Sequence, residues 1–467
     1  MSNSAEHQRQ GGSFRDPGGF LYLRDGTLYR QVNEPCRESY DRLMRSGLYD
    51  RLIERELLIP HQEADLLLAC DERACKVLRP ERVAFISYPY EWCFSQLRDA
   101  ALATLEIQRQ AMEFGLSLKD ASAYNIQFHR GRPTLIDTLS FEVYREGAPW
   151  VAYRQFCQHF LAPLALMARV DVRLRRLLRV FIDGIPLDLA SRLLGRLWLA
   201  PRLWLHIRLH AGSQKKYEDR PTDGRTGRFG RLAFLGLIES LQAAVRGLHW
   251  RPAGTQWGEY YSFTNYSDRA MQHKAELVGR LLGPCEGQTV WDLGANTGAF
   301  SRLASQAGAN TVAFDVDPAA VEKNYLESVR LREVNLLPLL MDLTNPTPSL
   351  GWASQERDSL LARGPADTIL ALALVHHLAI GNNVPLDRIA DFLGDSCRRL
   401  IIEFVPKGDS QVDKLLASRE DVFDEYHQAG FESAFARRFE FGPPEPIEGS
   451  SRLLYLMTVR GAGGTVA

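Results

Sequence analysis

Blocks of apolar and polar residues alternate along the C-terminal half of the chain, and they predict strands separated by helices. Apolar positions at helical spacing predict helices at residues 234–248 and 267–282. Short apolar runs predict strands at residues 289–292, 311–314, 335–341, 368–375, 399–404 and 451–459. Strands that alternate with helices predict an α/β fold with a mostly parallel, doubly wound sheet.

The N-terminal half lacks this regular alternation. Residues 1–17 are polar and predict a disordered tail, whereas residues 18–210 predict an α+β accessory domain. Residues 211–230 are rich in glycine and polar side chains and predict a flexible linker or loop. This leaves residues 231–467 as the C-terminal domain. No apolar stretch reaches the roughly 18 residues that a helix needs to cross a bilayer, so we expect no membrane span.

Composition narrows the class of protein. The chain has 467 residues, a formal net charge of -1, 45% hydrophobic residues and 24% charged residues, which is typical of a soluble protein with two or three domains. A nearly neutral chain has no general attraction to nucleic acid or membranes. The seven cysteines are scattered without a Cys-x-x-Cys pair, which favours reduced thiols in the cytoplasm and no zinc site.

The segment that links the first predicted C-terminal strand to a helix carries the clearest motif. Residues 292–298 read Asp-Leu-Gly-Ala-Asn-Thr-Gly, which is an acid at the strand end followed by a Gly-x-Asn-x-Gly turn. Glycine lets the backbone approach a ligand closely, and the following helix directs free N–H groups into the turn. The next strand ends in Asp315, where an acid can hold ribose hydroxyls.

This spelling resembles motif I of the class I S-adenosylmethionine (SAM)-dependent methyltransferases, over roughly residues 260–457. A dinucleotide site reads Gly-x-Gly-x-x-Gly, and here the middle and third glycines are missing. The resemblance implies a Rossmann-like fold with SAM as the cofactor. It implies that Asp315 holds the ribose hydroxyls and that Asp342 and Leu343 lie near the adenine. It also implies that four residues surround the methionine part of SAM: Asp292, Gly294, Asn296 and Gly298.

Some of these positions have a second interpretation. The turn can also belong to an NAD site or be a purely structural connection between a strand and a helix. Asp342 can be a helix cap or a turn residue, and Asp317, which precedes Pro318, predicts a helix cap. Glu403 ends the fifth strand, and it either faces a methyl acceptor or pairs with Lys407.

The fourth strand runs into His376 and His377. In the methyltransferases this position faces the sulfonium and the acceptor, and a histidine there can take the proton of the acceptor near neutral pH. The alternative is that one histidine packs in the core and the other bonds a backbone group. The Asn/Asp-Pro-Pro-Tyr/Phe signature is absent after this strand, which argues against N-methylation of nucleobases or glutamine of that type.

A second pattern lies in the N-terminal domain. Asp120 and Asn125 stand five residues apart and Asp137 ends an apolar strand, which resembles the catalytic loop and metal-binding acid of a protein-kinase lobe. That resemblance implies that Asp120 is a base and that Asn125 and Asp137 hold magnesium. The glycine-rich loop and the Val-Ala-x-Lys strand of that family are missing, which favours a degenerate domain, and we assign no metal site. The alternative is an unrelated α+β domain in which these residues shape a turn.

Together these patterns predict a cytoplasmic SAM-dependent methyltransferase whose N-terminal domain selects the acceptor or a partner. Two alternatives stay open, a SAM-binding regulatory protein without turnover and a bifunctional protein with a kinase-like N-terminal domain. The sequence does not identify the acceptor. The neutral net charge slightly favours a small molecule or an oligosaccharide, and nucleic acid stays open. The layout of the chain is also faintly similar to that of bacterial methyltransferase-like proteins associated with nodulation.

Overall fold

The computed structural model describes residues 8–195, 203–209, 230–252, 268–417 and 419–461. The chain divides into two units, which we call the N-terminal unit and the C-terminal unit. The N-terminal unit contains Met1–Arg251 and Ser349–Arg357, and the C-terminal unit contains Pro252–Pro348 and Asp358–Ala467. The chain therefore enters the C-terminal unit, returns to the N-terminal unit for a short segment, and leaves it again.

Antiparallel strands and helices make up the N-terminal unit. Its strands are β1 Gln8–Arg9, β2 Gly19–Arg24, β3 Thr27–Asn33, β4 His61–Ala64, β5 Ala74–Pro80, β6 Leu116–Leu118, β7 Ile126–His129, β8 Arg132–Leu135 and β9 Phe141–Val143. The first five form one antiparallel sheet in the order β1-β2-β3-β5-β4, and β6 pairs with β9 and β7 with β8. Its helices are α1 Arg37–Arg45, α2 Leu48–Glu54, α3 Phe94–Glu113, α4 Tyr153–Phe156, α5 Ala162–Arg169, α6 Leu177–Val180, α7 Leu187–Leu194 and α8 Arg231–Arg246.

The structure corrects the boundary of the predicted N-terminal tail. Residues 8–17 were expected to be disordered, but β1 pairs with β2 and a 3-10 turn follows at Gly11–Ser13. The backbone N–H of Gln10 also donates to the carbonyl of Leu21 at 2.9 Å. Backbone pairing along a sheet edge does not require apolar side chains, so a polar composition alone did not exclude order here.

Helix α8 also belongs to a different unit from the one that the sequence predicts. We expected residues 231–467 to form one domain, yet the N-terminal unit extends to Arg251. Phe234 is buried, and its ring lies 5.8 Å from the ring of Tyr144 and 6.4 Å from that of Trp150. The helical spacing of apolar residues predicts that one face of α8 is buried, but it does not say against what.

The segment Ser349–Arg357 completes the N-terminal unit. Leu350 and Arg357 form an antiparallel bridge, which closes a short turn. The buried carboxylate of Glu356 accepts a hydrogen bond from Nη2 of Arg15 at 2.6 Å. The guanidinium of Arg357 lies 4.2 Å from the ring centroid of Tyr124, which is the geometry of a cation–π contact. Ionic and aromatic contacts therefore hold this segment within the N-terminal unit.

A single sheet organises the C-terminal unit. Its strands are β10 Thr289–Leu293, β11 Asn310–Asp315, β12 Leu336–Leu340, β13 Ala366–Ala371, β14 Cys397–Phe404, β15 Phe439–Phe441, β16 Glu445–Pro446 and β17 Leu453–Val459. The strand order is β12-β11-β10-β13-β14-β17-β15, and β16 pairs with β17. The first five are parallel neighbours and β17 is antiparallel to β14, so the sheet is mostly parallel, as predicted.

Helices connect the parallel strands of this sheet and cover its core. They are α9 Asp268–Leu282, α10 Ala299–Gln306, α11 Pro318–Leu331, α12 Leu386–Ser396, α13 Ser410–Leu416 and α14 Gln428–Ala436. One core cluster joins α9 and α10 to the central strands through Leu277, Val278, Val290, Ala304, Leu370, Ile401 and Leu454. Successive residues 368–371 of β13 are all buried, as expected for a strand covered on both faces.

The predicted linker lies largely outside the described residues, since only Gly230 of residues 211–230 is among them.

The packing of α8 can be tested with two substitutions on the same helix. Phe234→Ala should lower the free energy of unfolding of the N-terminal unit by about 3–5 kcal/mol, because it removes a buried aromatic ring. Leu232→Ala is the control, since Leu232 is 85% exposed and should change stability little. Denaturant unfolding of both variants measures the difference, and equal effects would contradict the assignment of α8 to this unit.

Candidate cofactor site

The turn between β10 and α10 has the backbone geometry of a close-approach loop. Gly294, Asn296 and Gly298 have φ values of 78°, 49° and 81°, in the left-handed region that glycine adopts freely and asparagine tolerates. A Cβ on Gly298 would lie 2.5 Å from the side-chain amide of Asn324, and one on Gly294 would lie 3.4 Å from Leu374. Packing around the turn therefore requires Gly298, whereas Gly294 is favoured by its left-handed backbone rather than by lack of space.

Asp292 stands at the end of β10 and is 2% exposed. Its Oδ2 accepts a hydrogen bond of 2.6 Å from the hydroxyl of Ser301 in α10. Burial raises the pKa of Asp292 to about 6, although the hydrogen bond from Ser301 and the nearby charge of Lys274 act in the opposite direction. The carboxylate is thus held out of water with less compensation than a full ion pair would provide.

Asp315 occupies the matching position at the end of β11, the strand that pairs with β10. Its Oδ2 accepts from the backbone N–H of Asn296 and its Oδ1 from that of Asp317, both at 2.8 Å. Burial raises the pKa of Asp315 to about 6 against these hydrogen bonds. Asp317 caps α11 by accepting from Ala319 N–H at 2.7 Å, so the predicted helix cap is confirmed.

Asp342 and Leu343 follow β12 and are both partly buried. The carboxylate of Asp342 accepts from the backbone N–H of Thr344 at 3.0 Å and from its hydroxyl at 2.6 Å. This is the turn geometry that the sequence offered as the alternative to adenine binding. The position at the carboxyl end of β12 agrees with either interpretation, and the role of Asp342 stays a prediction.

His376 and His377 lie beyond β13, with ring centroids 4.1 Å apart. His376 is fully buried, and neither ring nitrogen has a hydrogen-bond partner within the described part of the chain. Burial lowers the pKa of His376 well below its ordinary value and lowers that of His377 to about 4, and the charge of Arg452 adds to both shifts. Both imidazoles are therefore neutral at physiological pH, and each keeps one nitrogen lone pair, although the lowered pKa makes each a weaker base than an exposed histidine.

A buried ion cluster lies at the end of β14, where the sequence singled out Glu403. Glu403 is 0% exposed, and it contacts Nζ of Lys274 at 2.5 Å and Nη1 of Arg452 at 3.2 Å. Arg452 in turn binds Asp409 at 2.7 and 3.1 Å. The expected pairing of Glu403 with Lys407 is wrong, because Lys407 binds Asp421. Lys274 and Arg452 are 129 and 49 residues from Glu403, so no local pattern could identify them.

These positions converge on the carboxyl edge of the sheet. Leu374, two residues before His376, packs against Gly294, and Asp315 bonds the backbone of Asn296. Lys274 contributes charge at both Asp292 and His376. The ends of β10, β11, β13 and β14 therefore meet at one location, which is where an open α/β sheet binds its ligands.

The residues that resemble a kinase catalytic loop also come together, in the N-terminal unit. Asp120 accepts from the N–H of Ser122 at 2.9 Å, and Asn125 donates to the hydroxyl of Ser140 at 3.2 Å. Asp137 pairs with Arg30 at 2.6 Å. Arg30 could not be found from the sequence, because it lies in a strand of mixed polar and apolar residues that gives no signal of a distant acidic partner.

In the described residues, no helix is long and apolar enough to cross a membrane.

The strand order, the Gly-x-Asn-x-Gly turn and the paired strand-end acids define the C-terminal unit as a class I SAM-dependent methyltransferase fold. No family model matches the chain. Over 460 residues the chain is 35% identical to Nodulation protein NoeA of Rhizobium meliloti (strain 1021), and the match covers 96% of this chain and 95% of that protein. The chain belongs to the NoeA family.

Several solved structures align with less than half of this chain. Magnesium protoporphyrin IX methyltransferase (ChlM) from Synechocystis PCC 6803 with bound SAH is 17% identical over 44% of this chain and 92% of its own, with a TM-score of 0.31. A SAM-dependent methyltransferase from Aquifex aeolicus is 18% identical over 43% of this chain and 98% of its own, with a TM-score of 0.31. WbdD is 15% identical over 40% of this chain and 38% of its own, with a TM-score of 0.29.

The buried ion cluster can be tested by removing its central charge. Glu403→Gln should lower the free energy of unfolding of the C-terminal unit by roughly 3–5 kcal/mol, because it leaves Lys274 and Arg452 buried with less neutralising charge. The control is Glu440→Gln, which breaks the exposed pair with Arg460 and should change stability by about 1 kcal/mol or less. Chemical denaturation compares the two, and a Glu403→Gln variant as stable as the control would contradict the ion-cluster assignment.

The pKa of Asp292 predicts how acidity affects the ligand-free protein. A folded-state pKa raised to about 6 means that its contribution to stability is fully present below the unfolded pKa and is lost as pH rises through 6. Asp292→Asn should therefore stabilise the ligand-free C-terminal unit at pH 7 by on the order of 2 kcal/mol and change it little at pH 4. Melting curves at both pH values measure this, with Asp342→Asn as the partly exposed strand-end control. A destabilised Asp292→Asn variant at pH 7 would refute the prediction.

Proposed function

We propose that this protein is a SAM-dependent methyltransferase that transfers a methyl group to an acceptor through its C-terminal unit. One observation carries the proposal. A turn with glycines in the left-handed conformation lies at neighbouring strand ends, together with two buried carboxylates, Asp292 and Asp315, whose charges are incompletely neutralised. Carboxylates without matched cations favour a positively charged ligand. They disfavour a diphosphate, whose negative charges they would repel, and this supports SAM over a dinucleotide.

The residues present fit SAM. Gly294 and Gly298 take left-handed backbone conformations without a side chain, so the backbone of the turn can lie against the methionine part of the cofactor. Asp292 would face its cationic groups. The carboxylate of Asp315 already accepts one hydrogen bond at each oxygen, and each oxygen keeps a further lone pair for a ribose hydroxyl. Asp342 and Leu343 would border the adenine.

SAM, when bound, supplies a methyl group on a sulfonium that an acceptor lone pair can attack in line. His376 and His377 lie on the connection that follows β13, which also carries Leu374 against Gly294. We assign proton removal from the acceptor to one of them. The partly buried His377 is the stronger candidate, since His376 is fully enclosed. A neutral imidazole can take the acceptor's proton without first losing one of its own.

We propose that the N-terminal unit selects the acceptor or a partner, and that its architecture is kinase-like. Two features and their order along the chain support that architecture. Helices α1 and α2 lie between β3 and β4 of the antiparallel sheet, and the long helix α3 precedes Asp120. The order sheet, long helix, acidic loop and strand-end acid is the one that the resemblance implies.

The acceptor class and the location complete the proposal. A small molecule or an oligosaccharide fits the formal net charge of -1 better than nucleic acid does. All seven cysteines are free thiols and six of them are buried, which supports a reducing, cytoplasmic location.

Binding of SAM is the first test. Isothermal titration should give a dissociation constant at least about 10-fold weaker for Asp292→Ala and Asp315→Ala, because each loses a charge-assisted contact worth roughly 1.5–3 kcal/mol. The control is Asp367→Asn, an acid near the amino end of β13 that bonds Thr289. The affinity of the parent should also fall as pH drops below about 6, where both site acids take up protons. Unchanged affinity in the double variant would eliminate the proposed cofactor site.

Transfer of the methyl group is the second test. With SAM labelled in its methyl group and fractionated cell extract, the parent should label a component that His377→Asn labels far more slowly, by about 10²-fold or more. The affinity of this variant for SAM should match that of the parent. SAM binding without any labelled product, in every fraction, would favour the regulatory protein over the enzyme.

A further inference from the structure

The acid cluster of the N-terminal unit is arranged differently from a metal site. The kinase resemblance implies that Asn125 and Asp137 hold magnesium. Mg²⁺ requires oxygen ligands in near-octahedral geometry, with carboxylate lone pairs free to face the ion. Among the described residues, no group of three or more His, Cys, Asp and Glu side chains is placed to hold a metal ion. The hydrogen bonds of Asp137 give the reason.

Both oxygens of Asp137 already have partners. Oδ1 contacts Nη2 of Arg30 at 2.6 Å and accepts the backbone N–H of Leu139 at 2.9 Å. Oδ2 accepts the hydroxyl of Ser140 at 2.9 Å. Asn125 donates its side-chain N–H to the same hydroxyl at 3.2 Å. A guanidinium from the chain itself thus neutralises the carboxylate, and only Oδ2 keeps a lone pair, so the donor set does not fit Mg²⁺.

Arg30 is placed so that it cannot leave this position readily. It lies in β3, between β2 and β5, and only 9% of its side chain is exposed. Its Nη2 also lies 3.7 Å from Asp16, in the turn before β2. Its Nε is buried without a hydrogen-bond partner, so the guanidinium depends on its acidic neighbours for compensation. A divalent cation at Asp137 would leave this buried charge with only the longer contact to Asp16.

We infer that Arg30 takes the place of the divalent cation in the N-terminal unit, and that this unit therefore does not carry out metal-dependent phosphoryl transfer. The guanidinium joins three segments that a bound metal would otherwise organise: the turn that holds Asp16, the central strand β3 and the loop that holds Asp137. Phosphoryl transfer needs a metal ion that neutralises the phosphates. Here the only cation at Asp137 among the described residues is the guanidinium of Arg30, and Asp137 already neutralises its charge. The inference excludes the bifunctional alternative. Recognition of the acceptor or a partner is then the role that remains for the N-terminal unit.

Binding of Mn²⁺ to the full-length protein tests the inference directly. Electron paramagnetic resonance with Mn²⁺ as the probe should find no site tighter than about 1 mM that depends on Asp137. The parent and Asp137→Asn should therefore bind Mn²⁺ alike, with or without ATP. A site present in the parent and lost in Asp137→Asn would overturn the inference.

A double-mutant cycle tests the pairing itself. Arg30→Met and Asp137→Asn should each lower the melting temperature, and the double variant should lose less than the sum of the two, because either change alone leaves a charge unpaired. The exposed pair of Arg132 and Glu56, 2.9 Å apart, provides the control cycle and should be additive. Additive effects at Arg30 and Asp137 would overturn the inference. If Arg30→Met does not fold, Arg30→Lys replaces it and tests the same coupling.

Discussion

The C-terminal unit depends on how well each of its buried carboxylates is compensated. Glu403 has two cations at hydrogen-bond distance, so its charge is neutralised within the fold. Asp292 has a hydroxyl and Asp315 has two backbone N–H groups, and these do not replace the lost hydration, since the pKa of both acids rises to about 6. A neutralised carboxylate stabilises one packing arrangement. A carboxylate that is only partly compensated still favours a positively charged partner. The sheet places both such carboxylates, Asp292 and Asp315, beside the turn that contains the glycines.

The same distinction explains which parts of the site the sequence could reveal. The turn and the acids at the strand ends are local features, because a strand, a bend and a helix follow one another within about ten residues. The mostly parallel, doubly wound sheet follows from alternating apolar runs together with that motif. Lys274 and Arg452 are different, since each meets Glu403 only after the chain has folded back across the sheet. An isolated lysine on an amphipathic helix looks like a surface residue until its partner is known.

The N-terminal half was harder to predict, for physical reasons that its residues show. Helix α8 has a clear apolar stripe, but Phe234 could have packed on either unit, and only the contacts with Tyr144 and Trp150 decide. Residues 8–17 are ordered by backbone pairing and by Arg15, neither of which gives an apolar signal. Arg30 shows the opposite problem: Asp120, Asn125 and Asp137 form a visible sequence pattern, but the cation that pairs with Asp137 stands about a hundred residues earlier.

The return of residues 349–357 to the N-terminal unit affects how this protein can be divided or recombined. The chain crosses between the units three times, at positions 251, 348 and 357, so no single cut yields two intact halves. A fragment that starts at residue 252 would carry Glu356 and Arg357 without the arginine and tyrosine that hold them. The reciprocal fragment would have a vacant place at Tyr124. This path of the chain favours inheritance of the two units together as one gene. It disfavours the evolutionary exchange of either half alone.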